Sequence, residues 1–399
     1  MRRGCWHQCG DKSQRLVEEQ LQQGVGVGVV ISPRDIGRDN AIQWANKYRA
    51  LGAEVLIDQQ FYNPDYTNKH LATYEMAPFR TAVSQLRQLS DQQFVDLANA
   101  LRVDHADFQA DALLAPAVRY EAARPDILDI NTKLFTVSKQ VGDQLGIPTY
   151  ASIVLGRSVT ASDQTIGAVL SNATSLNADG WYFAFEFENE RIPSGRESVR
   201  RCCNAGLTLA CTGKPVLHAY AGPMGLLSFG FGATGAGVGH SQNLWKFSRD
   251  RWESSAGKGG NGQAPPRFFS ASLWGTIIYP DETVLLPPAL RSQVLMPASP
   301  FCVPVTASPQ LQWQKWDANK HLVYTLASAF DQMAATTNPR TSAQMAIARL
   351  GQVVALHAEV AKILALKDST NVYQENWRLA MSDVLNNSSG QYDYLDLLS

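Results

Sequence analysis

The chain has 399 residues, of which 45% are hydrophobic and 18% are charged, and its formal net charge at pH 7 is −1. This composition is typical of a globular protein with a substantial core and argues against a disordered chain. The near-zero net charge excludes the overall basic field that drives sequence-independent binding to nucleic acid, although a local basic patch stays open.

The sequence contains no apolar run long enough to span a membrane, and its first residues lack the apolar segment of a secretory signal. We therefore expect a cytoplasmic protein with reduced thiols, because the six cysteines are scattered over a large chain rather than arranged as a disulfide framework. A metal site at Cys5, His7 and Cys9 is an alternative, but their spacing is not that of a zinc knuckle. We expect neither a metal nor a cofactor.

From residue 24 onwards the chain repeats one pattern: a short apolar run, a polar loop and a segment of helical periodicity. The predicted strands are 25–33, 53–62, 110–118, 148–156, 181–189, 215–222, 236–241 and 268–280. The predicted helices are 39–52, 78–90, 92–102, 129–146, 162–180, 192–212 and 225–235. Eight strands that mostly alternate with helices favour an α/β fold, a TIM-like (β/α)8 barrel, with an open doubly wound sheet as the alternative.

Four regions are predicted: an N-terminal extension (1–23), the barrel (24–285), a proline-rich connector (286–311) and a helical C-terminal region (312–399). The segment 254–266 is rich in Gly, Ser and Pro, so we expect a flexible loop at the barrel edge that carries function. We expect the C-terminal helices to brace the barrel or to form an oligomer interface, rather than to bind substrate.

Aromatic and acidic residues alternate in the segment "WYFAFEFENE" at 181–190. Successive strand side chains point to opposite faces, and the outer face of a barrel strand is covered by helices. The set predicted to face outward is Phe183, Phe185 and Phe187. The set predicted to face inward is Tyr182, Ala184, Glu186 and Glu188. Both glutamates then lie towards the carboxyl end of the strand, where barrel active sites are found.

Other polar residues follow the same end of neighbouring predicted strands. The pairs are Arg34 and Asp35, Asp58 and Gln60, His218 and Tyr220, and His240 and Ser241. Buried packing alone does not require such a convergence of ionisable groups, which indicates a site. The predicted catalytic residues are Asp58, Glu186, Glu188 and His218. The predicted substrate-binding residues are Arg34, Asp35, Gln60, Tyr220, His240 and Ser241.

Each of these residues also has a structural interpretation. In this interpretation, Glu186 pairs with an arginine or lysine inside the barrel, and His218 is a core histidine whose ring nitrogens are hydrogen-bonded within the protein. Asp58 caps the following loop, and Arg34 with Asp35 forms a salt bridge that fixes the first loop. The sequence does not decide between these interpretations and the catalytic ones.

Glycines surround the last predicted strand–helix unit. Gly222, Gly225, Gly237 and Gly239 stand where barrels commonly bind phosphate through backbone N–H groups and the start of a short helix. Glycines also serve close packing, and neither a P-loop nor a dinucleotide motif accompanies them.

Several segments together resemble the tRNA-guanine transglycosylase family, which includes DNA-acting relatives that handle 7-deazaguanine bases. "EVLIDQQFY" is similar to that family's strand that ends in an aspartate. The stretch from "YASIVLG" to "ADGWYFAFEFEN" resembles its Ile-Val-Gln-Gly strand, helix and Asp-Gly-Tyr-Ala strand. "PVLHAYAGPMGLLSFGFGATGAGVG" resembles its Met-Gly-Val-Gly loop, short helix and Gly-Ile-Asp strand. The likeness spans roughly residues 53 to 241 and concerns layout more than identity.

The resemblance implies a barrel that acts on a nucleobase, with Asp58 as acid or base. The chain departs from the family at four points. Gln59 and Gln60 replace a Gly-Gly pair, the base-reading glutamine is replaced around Leu155, the zinc motif is missing, and His240 and Ser241 stand where a nucleophilic aspartate is expected. The covalent step of the family therefore does not carry over to this chain.

Two functions are compatible with these observations. The first is an enzyme acting on a nucleoside, a nucleotide or the glycosidic bond of a nucleic-acid base by carboxylate and histidine acid–base chemistry. The second is a non-catalytic barrel subunit that binds a protein partner in a nucleic-acid-processing or defence complex through its helical tail. The expected partners are a small-molecule or nucleic-acid substrate and a second protein or copy of the chain, with no membrane.

Overall fold

Eight parallel strands form a near-closed barrel in the computed structural model of the protein. It describes residues 1–10, 12–187, 192–240, 244–252, 266–303, 313–367 and 371–398, with the side chains of 371 and 372 excepted. The barrel strands are β1 (Gly4–Cys9), β2 (Gly28–Ile31), β3 (Glu54–Ile57), β4 (Leu113–Leu114), β5 (Thr149–Leu155), β6 (Gly180–Phe185), β7 (Val216–His218) and β8 (Gly235–Val238). The predicted (β/α)8 barrel is confirmed.

Helices follow the strands along the chain. In the barrel region they are α1 (Gln14–Gln22), α2 (Arg38–Ala50), α3 (Val83–Leu86), α4 (Asp91–Phe108), α5 (Asp126–Leu145), α6 (Arg157–Thr160), α7 (Asp163–Ala173), α8 (Arg196–Ala210) and α9 (Gly225–Ser228). Beyond the barrel they are α10 (Pro288–Val294), α11 (Lys315–Ala334), α12 (Pro339–Ala361), α13 (Asn371–Asn387) and α14 (Ser389–Leu398). Among the described residues, none of these helices combines the length and apolar character needed to cross a lipid bilayer.

Strand order closes the barrel through its first and last strands. The sheet runs β3-β2-β1-β8-β7-β6-β5-β4, and β1 pairs in parallel with both β2 and β8. Between β3 and β4, Asp111 takes the place of a ladder: its N–H donates to the carbonyl of Val55 over 3.0 Å, and its carboxylate accepts from the N–H of Val55 over 2.6 Å. This order excludes the open doubly wound sheet.

The sequence pattern missed one barrel strand, and one predicted strand lies outside the barrel. The first barrel strand is Gly4–Cys9, so residues 1–23 supply β1 and α1 and are not an extension. The pattern concealed β1 because "GCWHQC" alternates polar and apolar residues that are all buried. The segment 268–280 forms an antiparallel hairpin outside the barrel, with strands β9 (Arg267–Ser270) and β10 (Gly275–Ile278). The rest of the division into barrel, connector and C-terminal region stays a prediction.

The alternation of side chains in β6 is as predicted. Phe183, Phe185 and Phe187 pack outward against the helices, whereas Tyr182 and Ala184 belong to the cluster that fills the barrel. That inner cluster takes one or more residues from seven strands or their ends, including Trp6, Val30, Leu56, Leu114, Val154 and Leu217. The barrel is therefore a packed core rather than a pore, as is usual for eight strands.

The C-terminal helices brace the barrel from outside. The carboxylate of Asp331 in α11 accepts hydrogen bonds from the backbone N–H of Cys5 (2.8 Å) and of Gly26 (2.9 Å). Asp383 in α13 pairs with Arg196 at the start of α8, and the indole of Trp377 donates to the carbonyl of Pro193 over 2.6 Å. The structure thus accounts for a bracing role; whether these helices also bind a partner stays a prediction. The predicted loop 254–266 lies outside the described residues except for its last residue.

Trp6 provides a test of the corrected first strand. Its side chain is fully buried, and a Cβ added to Gly28 or Gly235 would lie 2.5 Å or 2.6 Å from its ring. We expect Trp6→Ala to lower the free energy of unfolding by about 3–5 kcal/mol, because it leaves a large cavity between three strands.

The measurement is denaturant unfolding followed by circular dichroism. The control is Arg15→Ala, whose side chain is 78% exposed, and we expect a change of only about 0.5 kcal/mol from it. Equal, small effects of both changes would contradict a barrel strand at Gly4–Cys9 and favour the predicted N-terminal extension.

Candidate functional site

Asp58 lies at the carboxyl end of β3, directly after the strand ends at Ile57. Its side chain is buried and receives four hydrogen bonds. Oδ1 accepts from the backbone N–H of Gln60 over 3.0 Å. Oδ2 accepts from the hydroxyls of Tyr62 (2.6 Å), Tyr182 (2.9 Å) and Tyr220 (3.4 Å). One carboxylate oxygen is thus the common acceptor of three phenols from three parts of the barrel.

Burial and hydrogen bonding act in opposite directions on Asp58. Burial raises the pKa of this carboxyl above its ordinary value, while the bonds from the three tyrosines and from Gln60 oppose the rise, and the net direction is upward. Burial also raises the pKa of Tyr62 and of Tyr182, so both phenols keep their protons and act as donors. A raised carboxyl pKa is the property that general acids need near neutral pH.

A second ionic group, formed by Arg34, Asp35 and Arg251, adjoins Asp58. Asp35 accepts from the guanidinium groups of Arg34 (2.7 Å) and Arg251 (2.5 Å), so two cations share one carboxylate. Gln60 joins the two groups, because its Oε1 accepts from the N–H of Arg34 (3.3 Å) and its Nε2 donates to the hydroxyl of Tyr220 (3.1 Å). The predicted residues Arg34, Asp35, Asp58, Gln60 and Tyr220 are therefore brought together.

Glu186 is buried beside this site, but it serves to join segments. Its Oε2 accepts from Nη1 of Arg119 (3.1 Å) and from the N–H of Arg157 (3.0 Å). Its Oε1 accepts from the N–H of Arg249 over 2.9 Å. The carboxylate therefore pairs with a buried arginine from the segment after β4, in line with the structural interpretation of the sequence, and it also fixes the segment that follows β8.

That segment covers the mouth of the barrel. We call residues 244–252 the cap. Phe247 pairs with Glu186 in an isolated parallel bridge, and the Phe247 and Trp252 rings stack at a centroid distance of 5.1 Å. Both rings meet the ring of Tyr62 edge-on at a centroid distance of 5.1 Å, and the hydroxyl of Tyr62 binds Asp58. Asp58 is thus enclosed by aromatic side chains in the described conformation.

The prediction that His218 shares a face with Tyr220 was wrong. His218 lies on the outer face of β7, with its ring 5.4 Å from Phe183 and 5.6 Å from Phe231. Its Nδ1 bonds the hydroxyl of Ser228 over 2.8 Å, and burial lowers its pKa to about 3. The alternation fails because β7 ends at His218 and Tyr220 adopts a left-handed backbone, φ 53°, which turns its side chain inward.

The four glycines predicted to bind phosphate are packed closely against protein groups, and phosphate binding by their backbone N–H groups stays a prediction. A Cβ at Gly222 would lie 2.6 Å from Trp245, and one at Gly225 would lie 2.3 Å from the ring of Phe330. At Gly237 and Gly239 the corresponding neighbours are Gln8 (2.8 Å) and Leu244 (2.1 Å). Close packing of the cap, α11 and β1 therefore explains why glycine stands at these positions.

The remaining predicted residues contribute less. His240 follows β8 and is half-buried, whereas Glu188 and Ser241 lie outside the described residues. Among the described residues, no group of three or more His, Cys, Asp or Glu side chains is arranged to hold a metal. Cys9, one member of the alternative metal site, is buried with its Sγ 3.3 Å from the hydroxyl of Tyr48.

Sequence reasoning missed several residues of this site. Tyr182 was assigned to the inner face but not to the site, and Gln8, which donates to its hydroxyl over 3.4 Å, lay on the unrecognised β1. Tyr62 lies in a turn, and Arg251 and Trp252 lie in a one-turn 3-10 helix, so no long periodic pattern marks their orientation. The available signal was indirect, since "DQQFY" and "SRDRW" place an acid, bases and aromatics within a few residues of strand ends.

Comparison with known proteins leaves the family open. No protein-family profile matches the chain, and no curated protein matches it either. Among the solved structures to which it is similar is one titled "Native KDPGal structure", with 9% identity and a TM-score of 0.30, covering 60% of this chain and 88% of that one. A likeness at this score carries no argument. None of these findings supports the tRNA-guanine transglycosylase resemblance.

His218→Gln tests the position of His218. The pKa of His218 is about 3 in the folded protein, and its ordinary value is 6.5. At a pH between these two values, the imidazole of the unfolded chain binds a proton and the imidazole of the folded chain does not. Stability therefore falls as pH drops below 6.5, and we expect the variant to lack this part of the fall. At neutral pH it loses about 1–3 kcal/mol with the Ser228 bond. Urea unfolding from pH 7 to about 4 measures both. Parallel pH profiles would contradict the outer-face burial.

Glu186→Gln tests the attachment of the cap. The glutamine amide has only one acceptor oxygen, and its NH2 group would face an N–H donor. We therefore expect the attachment of the cap through Arg249 to weaken by about 1–3 kcal/mol. Hydrogen exchange of residues 244–252 measures this, with the β9–β10 hairpin as an internal reference.

The matched control for this experiment is Glu121→Gln. Glu121 also pairs with Arg119 but accepts no bond from the cap in the described contacts. Faster exchange in both variants would mean that the charge of Arg119, and not the bond to Arg249, holds the cap.

Proposed function

We propose that the barrel mouth is an active site in which Asp58 acts as general acid or base on an anionic, nucleotide-like substrate. The observation that carries this proposal is the convergence of the Tyr62, Tyr182 and Tyr220 hydroxyls on one oxygen of Asp58. A buried carboxyl with a raised pKa at the carboxyl end of a barrel strand is a typical acid–base group.

The arginines beside Asp58 support an anionic substrate. Arg34 and Arg251 share the single carboxylate of Asp35, which leaves one positive charge without compensation in that group. Buried donors are also left without a partner among the described residues: Nε of Arg34, Nη1 of Arg251, Nε2 of Gln59 and Nε1 of Trp252. All four atoms are donors, and buried donors normally find an acceptor, which a phosphate or carboxylate would supply.

The aromatic groups support a flat ring in the substrate. Tyr62, Tyr220, Phe247 and Trp252 form one cluster with centroid distances of 5.1–6.1 Å. Aromatic side chains stack on nucleobases without requiring a particular sequence. The nucleobase or glycosidic substrate that the sequence resemblance implies is therefore retained as the finer part of this proposal. Entry of such a ring requires the cap to move, since Phe247 and Trp252 cover Asp58.

One observation favours a second candidate, the non-catalytic barrel subunit of a nucleic-acid-processing or defence complex. The cap occupies the mouth, and both oxygens of Glu186 already accept hydrogen bonds from protein donors, one of them in the cap. A mouth that never opens would leave Asp58 and its tyrosines as a structural network that fixes three loops.

Asp58→Asn distinguishes the two candidates. The purified protein is analysed by native mass spectrometry and denaturing extraction for a bound nucleotide, and a panel of nucleosides and nucleoside monophosphates is tested for binding and for release of the base. For an enzyme we expect Asp58→Asn to lower turnover by about 100- to 10,000-fold while binding persists. Arg251→Gln should weaken binding of the phosphorylated compounds more than of the nucleosides.

The matched control is Asp104→Asn. Asp104 is also buried and has a raised pKa, but it pairs with Arg38 and has no described hydrogen bond to Asp58 or its three tyrosines. Equal losses in both variants would indicate damage to the fold. No bound compound, no binding within the panel and no turnover would transfer the proposal to the non-catalytic subunit.

A further inference from the structure

A second concave site lies in the C-terminal part of the chain, away from the barrel mouth. It is a groove of about 670 Å³ between the turn of the β9–β10 hairpin, α10, α11 and α12. This volume lies within the usual range of small-molecule sites, about 300–1,000 Å³. Gln332 and Met333 of α11 line it, and their neighbour Asp331 binds the N–H of Cys5 at the start of β1. The groove is therefore near the opposite end of β1 from the mouth.

Methionine side chains form much of the apolar wall. Met296, Met333 and Met345 line the groove together with Val353 and Leu356. Met296 and Met345 are 55% and 41% exposed, although long apolar side chains are usually covered. Flexible thioether side chains adapt to ligands of different shape and recur at apolar binding surfaces.

Arg349 supplies the one cation of the groove lining. Its guanidinium carbon lies 4.5 Å from the ring centroid of Trp274, which fixes its orientation. No carboxylate lies within ion-pair distance of it in the part of the chain that the structure describes. Part-buried arginines usually pair with an anion, and the polar groups nearest in the lining are neutral, namely Gln293, Gln332, Gln352 and Ser272.

We propose that this groove binds an anionic amphiphile, a free single-chain carboxylate of the acyl type. Its carboxylate would pair with Arg349, and its chain would lie along Met296, Met333 and Met345. The carboxylate of the ligand matches the polar part of the lining, which is Arg349 with amide donors beside it. The acyl chain matches the flexible apolar wall formed by the methionines. The site is independent of the function proposed for the barrel mouth.

Titration with decanoate, below the concentration at which it forms micelles, tests this proposal on the full-length protein. We expect saturable binding of one decanoate per chain, and binding of decanol at least about tenfold weaker, since a charged hydrogen bond contributes about 1.5–3 kcal/mol. Isothermal titration calorimetry measures both on the unaltered chain, so this comparison does not depend on any variant folding.

Three variants then locate the ligand. Arg349→Gln should weaken decanoate about 10- to 100-fold and leave decanol unchanged, whereas Arg349→Lys should weaken decanoate less than Arg349→Gln does, because it keeps the charge but not the planar group that stacks on Trp274. Lys362→Gln removes the same charge from an exposed position paired with Glu359 and should change nothing. Equal affinities for decanoate and decanol, or equal losses in Arg349→Gln and Lys362→Gln, would overturn the proposal. So would an absence of decanoate binding, which would leave the groove to a protein partner or a second copy.

Discussion

Pairing of β1 with β8 is the constraint on which the rest of the structure depends. It joins the two halves of the sheet, so that among the described strands only β3 and β4 lack a ladder of hydrogen bonds between them. Asp111 bridges that gap. Closure also obliges alternate side chains of every strand to fill a narrow interior. Trp6 occupies that interior next to Gly28 and Gly235, where a Cβ on either neighbour would meet its ring. Gly28 of β2 and Gly235 of β8 are therefore explained by the size of one side chain on β1.

The same closure produces the polar mouth. Side chains that follow the ends of β3, β6 and β7 converge on a common axis, and any charge among them is removed from water. Each buried carboxylate therefore has protein donors in place of water. Asp58 has three phenol hydroxyls, Asp35 has two arginines, and Glu186 has Arg119 and two backbone N–H groups. The solutions differ in kind: Asp58 has only neutral donors, and burial raises its pKa, while the other two carboxylates have cationic partners.

The sequence predicted those features that depend on local periodicity. Alternation in 181–187 assigned Phe183 and Phe185 outward and Tyr182 and Glu186 inward, as found. It failed where backbone geometry interrupts the period, as at Tyr220 with its positive φ. It also failed where tertiary context decides: an apolar run such as 268–280 reads as a buried strand in any sheet, and the buried "GCWHQC" contains His and Gln. Contacts between Asp58 and the cap join residues far apart in sequence and have no local signature.

Enclosure of Asp58 and reactivity of Asp58 are linked through the cap. With Phe247 and Trp252 in place, the carboxyl is dry, and burial raises its pKa against the pull of four hydrogen bonds. Water admitted by an open cap would weaken that burial and lower the pKa towards its ordinary value. A substrate ring that replaced the two aromatic side chains would restore the dry surroundings, and its anionic group would meet the unpaired donors of Arg34 and Arg251. Under the proposed function, the acid form of Asp58 would be favoured when the mouth is covered, either by the cap or by a bound ligand, and proton transfer and exclusion of water would be parts of one event.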